Sequence, residues 1–436
     1  MSILLLSILA VGFGLGFLSC LSFLRLLILG SLNNSFIIIE IVLLVLLIIV
    51  FISTIKKHSI SNIYSESVPK LKPHLLILIV FFILLISGII VFVYLSLGTP
   101  HGNWDAWAIW NMRARFLFRG GVLWGDTFSN IIHWSHPDYP LLIPGAIARC
   151  WRYIGNETTV VPVLIAMLFT FAIVGLLVSS LSILRSKNQG LLAGLVILGT
   201  PFFIAHGASQ YADIPLGFFF LSTLVLLCLQ DEMESSFFWL IMAGAMAGFA
   251  AWTKNEGILF LVSVIIAYFI ATIISKSFKG YLREVYYFVM GLAPVLVIII
   301  YFKVRIAPPN DLIAGQGLHP TVERLTDLYR YLTVGRAFIS QLVRFSNGFI
   351  IVLIAYSLFL GMNFDRNKKG IVVSSIVLCL MFVGYFFVYI TTPLNLNFHL
   401  GNSLNRLFLQ LWPSFIFIFF MIVSTPEKVT IRFNDK

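Results

Sequence analysis

Residues 75–98 read LLILIVFFILLISGIIVFVYLSLG, an uninterrupted run without a charge. As a helix rising 1.5 Å per residue it would reach about 36 Å. That exceeds the ~30 Å hydrocarbon core of a bilayer. Comparable runs recur along the 436-residue chain, which is 59% hydrophobic and 11% charged. Soluble domains carry about 25% charged residues. Backbone groups in lipid must bond to one another, so only helices or a closed barrel can span. The runs are continuous and show no alternating ten-residue segments, which selects helices.

The expectation is an all-α integral membrane protein with about 12 transmembrane helices. They are placed near 3–24, 35–55, 75–98, 159–184, 190–205, 213–230, 237–253, 257–274, 285–303, 345–361, 371–391 and 407–424. The first run lacks a basic leader and reads as a retained span, not a cleaved signal peptide. No internal repeat is evident.

Basic residues in short loops orient such a chain. Threading the spans puts Lys56, Lys57, Lys70, Lys72, Arg185, Lys187, Lys276, Lys279, Arg283, Arg366, Lys368 and Lys369 on the side of both termini, the expected cytoplasm. Lys254, Lys303 and most arginines fall on the other side, which asks for an anionic partner there. The net charge of +11 is assigned to anchoring at membrane lipids. With no soluble basic domain, nucleic-acid binding is excluded. Cys20, Cys228 and Cys379 fall in spans and Cys150 in a loop, so no disulfide framework is expected.

Two outside segments are long, 99–158 and 304–344, with aromatics and arginines spaced for short helices lying in the membrane interface. In the first, NWDAWAIWNMRARFLFRGG reads as a helix ended by Gly120 and Gly121. Trp107, Trp110, Ala114, Leu117 and Phe118 form one apolar stripe, with Asp105, Ile109, Met112 and Arg119 opposite. The stripe reads as packing or anchoring. Asp105 has no ion-pair partner three or four residues away, which leaves it a helix N-cap or an available acid. Arg115 and Arg119, four apart, repel unless an anion lies across them. The loop continues HWSHPDYPLLIP, where Pro137, Pro140 and Pro144 impose an irregular backbone. His133, His136 and Asp138 are a weak metal signal. No metal or other cofactor is assigned, and a divalent metal is unsupported.

Further along, Lys254 lies beside Glu256 in WTKNEG between two apolar runs, and Asp213 precedes Pro215 at a span entrance. A charge at the edge of the bilayer needs a partner or a function. Asp213 also suits helix capping. Glu40 is read as snorkelling to the boundary, without a role. In 304–344, glycines and prolines suggest a mobile segment, followed by Glu323, Asp327 and Arg330 at pairing distances along a helix. That helix is a solvated face or a lid.

WDAWAIWNMRA followed by HPDYPLLIP resembles the first extracytoplasmic loop of bacterial GT-C-fold glycosyltransferases, relatives of protein mannosyltransferases and of the aminoarabinose transferase of lipid A. QYADIPLGFFF (210–220), AAWTKNEGILFL (250–261) and HLGNSLNRLFLQLWP (399–413) resemble later segments of that superfamily. The resemblance runs from about residue 75 to the end. It implies a GT-C-like domain over 75–436 and an added N-terminal helix pair and cytoplasmic loop over 1–74. It departs from the pattern in two places. Asp105 lacks a neighbouring acid, which makes a metal-dependent mechanism doubtful. Asn405 stands where an acid is expected and is given no acid role.

The resemblance implies a polyprenyl-phosphate sugar donor. The acceptor would be an envelope glycan, lipid or protein at the outer face of a bacterial cytoplasmic membrane. Such chemistry needs a base for the acceptor hydroxyl and cations for the departing phosphate. Asp105 is the first choice as base, with Asp138 and Asp213 as alternatives. Arg113, Arg115, Lys254 and Arg406 are candidates for the phosphate, and His136, Tyr139, Glu256 and His399 for the pocket. Two other readings stay open: a polymerase or ligase of O-antigen type, and a lipid-linked sugar flippase or transporter.

Overall fold

The computed structural model describes residues 1–32, 73–232, 237–275, 278–310, 316–362 and 368–426, with scattered positions from 38 to 53. The span expected at 35–55 and the loop residues Lys56, Lys57, Lys70, Lys72, Lys276 and Arg366 lie largely or wholly outside the described residues.

Among the described residues every major element is a helix. In chain order they are α1 (Ser2–Leu29), α2 (Leu75–Gly98), α3 (Asn111–Arg119), α4 (Leu142–Ile154), α5 (Val160–Leu184), α6 (Lys187–Leu198), α7 (Pro201–Ala208) and α8 (Asp213–Glu232). The remainder are α9 (Phe238–Thr253), α10 (Glu256–Ser275), α11 (Phe278–Arg305), α12 (Leu318–Thr326), α13 (Leu328–Phe345), α14 (Phe349–Leu360), α15 (Lys369–Thr391) and α16 (Leu396–Ile422).

Among the described residues, eight helices are long and apolar enough to cross a membrane, or up to 10 if each of two bent pairs counts as one span. The expected number of about 12 is not confirmed: the span at 35–55 lies largely outside the described residues, and three other runs are broken or short. The run at 190–205 is broken between α6 and α7 by 66°, where Pro201 opens the second helix without an N–H to give. The run at 345–361 is only the short α14. It turns from α13 by 81° through Asn347 and Gly348, both at positive φ. The run at 237–253 is a helix of 16 residues.

Helix α8 is the centre of the bundle: every residue from Asp213 to Leu229 is buried. An all-round apolar helix belongs in such a position. Helices α9, α15 and α16 pack against it, and α9 packs in turn on α11. Helix α2 is the opposite case. Only Phe81, Gly88, Phe92 and Ser96 are buried, and Leu75, Leu76, Ile83, Ile86 and Ile90 are exposed. A soluble surface does not carry an apolar face of that length; lipid does.

Helix α1 is embedded in the same core. Ser19 Oγ donates to the Leu141 carbonyl and accepts from Trp252 Nε1, and Phe23 packs its ring against Trp124, Trp252 and Phe302. Glu40, expected to snorkel, is instead 5% exposed. It pairs with Arg25 and Arg149 and accepts from the Tyr153 hydroxyl. A carboxylate at that depth is tolerated because the two guanidiniums are equally enclosed.

Charged residues collect at two ends. One gathers Asp105, Asp138, Asp213, Lys254, Glu256, Lys303 and Arg406, all from segments expected on the outer side. The other joins Lys368 to Glu232 and Lys369 to Glu284, while the Gly370 N–H donates to Asp231. In 304–344 the expected pairing of Arg330 with Glu323 or Asp327 is not the one that forms. Arg330 Nη2 donates to the carbonyls of Tyr389 and Thr392, and Arg324 Nη1 to that of Thr391. The last carbonyls of α15 have no helical partner and attract cations. Asp327 instead caps α13 through the Tyr329 N–H.

Candidate active site

The first outside loop begins with a tight turn. Gly102 has φ +72°, and a Cβ there would lie 2.5 Å from Ala106 and 2.7 Å from the Ser209 carbonyl. That close approach lets Asn103 bond the Ser209 carbonyl and hydroxyl. Asn111 then reaches Gln210, and Gln210 reaches the Pro100 carbonyl. The start of the loop helix is thereby fixed to the turn that leads into α8, with Asp105 next to Asp213.

The helix itself departs from the expected 3.6-residue pattern. Residues Ala106–Trp110 form a π turn before α3. Bonding to the fifth residue widens the turn and shifts the phase of the residues after it. Ile109, assigned to the outer face, is therefore buried, and Trp107, assigned to the stripe, is exposed. Trp110 is fully buried and stacks on Tyr139 at 5.6 Å. Asp105 makes no side-chain cap bond.

Asp105 instead meets Arg406. Arg406 Nη2 lies 2.5 Å from Asp105 Oδ2, and Arg406 Nε lies 3.0 Å from Asp213 Oδ2. Asp213 is 0% exposed and accepts four ways: from Arg406, from Lys254 at 2.9 Å, from Gln410 Nε2 at 2.6 Å, and alongside His206 Nε2 at 3.2 Å. Lys254 also pairs with Glu256 at 2.8 Å. Burial by itself pulls the Lys254 ammonium down, but Asp213 and Glu256 outweigh it and hold it well above the usual lysine range. Its position depends on Gly257, where a Cβ would lie 2.0 Å from the Ala250 carbonyl. Only glycine allows α9 and α10 to close that tightly around the lysine.

In front of this cluster is a cavity of about 670 Å³. Its walls are Asn103, Trp104, Asp105, His136, Phe202, Ala205, His206, Ser209, Tyr211, Phe398, Asn402, Asn405 and Arg406. Among the expected site residues, Asp105, His136 and Arg406 line it. Lys254, Asp213 and Glu256 lie behind them, joined to the wall through Arg406 and Gln410. Tyr139 stacks on His136 at 5.2 Å, with Lys254 5.6 Å from its ring. Burial and the Glu256 carboxylate push its phenol above the ordinary range.

The remaining candidates are held elsewhere. Arg113 is 0% exposed and donates to the carbonyls of Ser135, His136 and Tyr139. Burial lowers its guanidinium to about 10, partly offset by Asp138. It builds the HPDY turn instead of reaching the cavity. Arg115 and Arg119 have their anion within the chain, since Glu157 lies 3.7 Å from one and 2.5 Å from the other. Asp138 accepts from Asn255 and Asn310 at 2.6 and 2.7 Å, with Lys303 3.8 Å away. His399 sits against Thr392 and Tyr389. Pro144, expected to disrupt the backbone, lies in the first turn of α4, where a proline leaves no helical bond unmade. Among the described residues, no three His, Cys, Asp or Glu side chains group so as to hold a metal ion.

His206, Tyr211 and Gln410 were not singled out in the sequence. A signal existed for one of them. Asn402, Arg406 and Gln410 recur every four residues on α16, a polar row carried into the apolar second half of the helix.

Membrane-length helices that enclose paired acids and cations behind a polar cavity at one end define a polytopic membrane protein with a candidate active site. Residues 136–301 match the model of the family described as dolichyl-phosphate-mannose-protein mannosyltransferase. This matched segment takes in Asp138, Tyr139, Asp213, Lys254 and Glu256 but neither Asp105 nor Arg406. No curated protein and no solved structure matches the chain.

Proposed function

We propose that the chain transfers a sugar from a polyprenyl-phosphate donor to a hydroxyl of an envelope glycan, lipid or protein. The reaction takes place at the outer face of a bacterial cytoplasmic membrane, with both termini in the cytoplasm. The family description names a dolichyl-phosphate sugar, which supports the donor class. The observation that carries the reading is that Asp105 and Arg406 share one cavity wall.

Asp105 takes the acceptor's proton as the acceptor oxygen attacks the anomeric carbon. The bond from that carbon to the phosphate oxygen breaks, and its electron pair leaves with the polyprenyl phosphate. Arg406 offsets the charge that develops there, in a site shielded from water where such pairing is strong. Asp213 is held by Lys254, Arg406 and Gln410, which suits it to anchor cations and not to take protons. Trp104 and Tyr211 offer aromatic faces to a sugar ring, and Asn103, Asn402 and Ser209 offer hydrogen bonds to its hydroxyls.

The test supplies membranes carrying the protein with labelled polyprenyl-phosphate mannose and an envelope acceptor fraction. Transfer by the wild type and its loss in Asp105→Asn, at equal expression and fold, supports the reading. Full transfer by that variant removes Asp105 as the base. Movement of the labelled lipid into sealed vesicles without transfer would instead favour a flippase.

A further inference from the structure

The acid–cation cluster holds three carboxylates, Asp105, Asp213 and Glu256, against two permanent cations, Lys254 and Arg406. An incoming phosphate therefore finds no surplus cation. Arg406 is the one permanent cation on the cavity wall, among the described residues, and its two carboxylate partners differ. Asp213 is fully enclosed and held by several other donors, while Asp105 is 14% exposed at its side chain and held by Arg406. The two contacts use different nitrogens of the guanidinium, Nε toward Asp213 and Nη2 toward Asp105. The Tyr211 ring, 4.8 Å from the guanidinium carbon, supports its plane.

We infer that Arg406 is an exchange point: the donor's phosphate displaces Asp105 from Nη2 while Nε stays on Asp213. This rests on the proposed transferase activity and adds an order of events to it. With Arg406 on Asp105, the guanidinium occupies Oδ2 and keeps it from the acceptor hydroxyl. Donor binding draws that guanidinium away and frees the oxygen to take the acceptor's proton. The base is thus released only when the leaving group is already held. The donor phosphodiester carries one negative charge. After transfer, the monoester carries a second, and the acceptor's proton sits on Asp105, so atoms and charge balance.

The experiment measures binding of polyprenyl-phosphate mannose, and separately of polyprenyl phosphate without sugar, to purified protein by fluorescence of the cavity tryptophan. Asp105→Asn removes the competitor for Arg406. It is expected to bind both lipids roughly tenfold more tightly than wild type, the change carried by a charge-assisted hydrogen bond, while transfer is lost. Arg406→Gln is expected to bind both at least roughly tenfold more weakly. Unchanged or weaker binding by Asp105→Asn overturns the exchange, as does tightening seen only with the sugar-bearing lipid. Neither result touches the transferase reading, which fails separately if Asp105→Asn still transfers sugar. Asp105→Ser, checked for the same unfolding temperature as wild type, guards against a folding defect in the asparagine variant.

Discussion

Arg406 Nη2 and Asp105 Oδ2 lie 2.5 Å apart although 301 residues separate them in the chain. The contact closes the first outside loop onto the last helix of the bundle, with buried Asp213 bonded to the same arginine.

The two aspartates on Arg406 should behave differently when neutralised. Asp213→Asn leaves Lys254 and Arg406 enclosed without their shared carboxylate, a loss of about 3–5 kcal/mol for a broken buried pair. Asp105→Asn opens a partly exposed pair and should cost about 1 kcal/mol or less. Thermal unfolding in detergent measures both. Equal losses would contradict the assignment of Asp213 to support and Asp105 to chemistry.

Lys254 fixes a pH dependence. Its folded value is raised above the ordinary lysine value near 10.5. A raised value contributes stability that is complete below the unfolded pKa and is lost only as pH climbs through the folded one. The difference in unfolding temperature between wild type and Lys254→Met should therefore stay constant from about pH 6 to about pH 10. A difference that shrinks across that window would show that the lysine titrates there.

Arg113 should prove structural. Arg113→Met strips the donor from three loop carbonyls, each loss worth about 1–3 kcal/mol where the group stays buried. The expected result is faster proteolysis between residues 129 and 140, with Arg113→Lys intermediate because an ammonium lacks the planar fork. Proteolysis no faster than in the wild type would show that the turn stands without it.

Glu157→Gln removes the anion between Arg115 and Arg119. Arg119 is 67% exposed at its side chain, so water screens the repulsion and the cost should be about 1 kcal/mol or less. Sugar transfer should stay within about twofold of wild type, and added salt should restore the stability lost. A large loss of transfer would bring Arg115 back as a phosphate ligand.

Several elements were legible from local pattern. The apolar runs mark helices because hydropathy is a property of consecutive residues, and α2, α5, α8 and α15 lie where those runs are. Gly120 and Gly121 end the loop helix as read, with α3 closing at Arg119. Spacing misled where the backbone changes period. The π turn at Ala106–Trp110 reassigns Ile109 and Trp107, and nothing in AWAIW distinguishes five-residue from four-residue bonding. The break at Pro201 likewise turns an expected straight span into a bent pair, and Asn347–Gly348 joins an expected span to a helix read as part of an outside segment.

The sequence by itself determined a helical membrane protein, the segments carrying its polar chemistry, and a resemblance to GT-C glycosyltransferases. These come from composition and short motifs. Only the tertiary structure decided which charges meet. Asp105 had no partner within reach along its own helix, and its partner came from α16. Arg115 and Arg119 met Glu157, from the segment after α4. Buried charges must be matched wherever the packed helices bring them together. That matching is set by how helices pack and not by distance along the chain, which is why Arg113 turned inward to carbonyls and Arg406 came to the cavity.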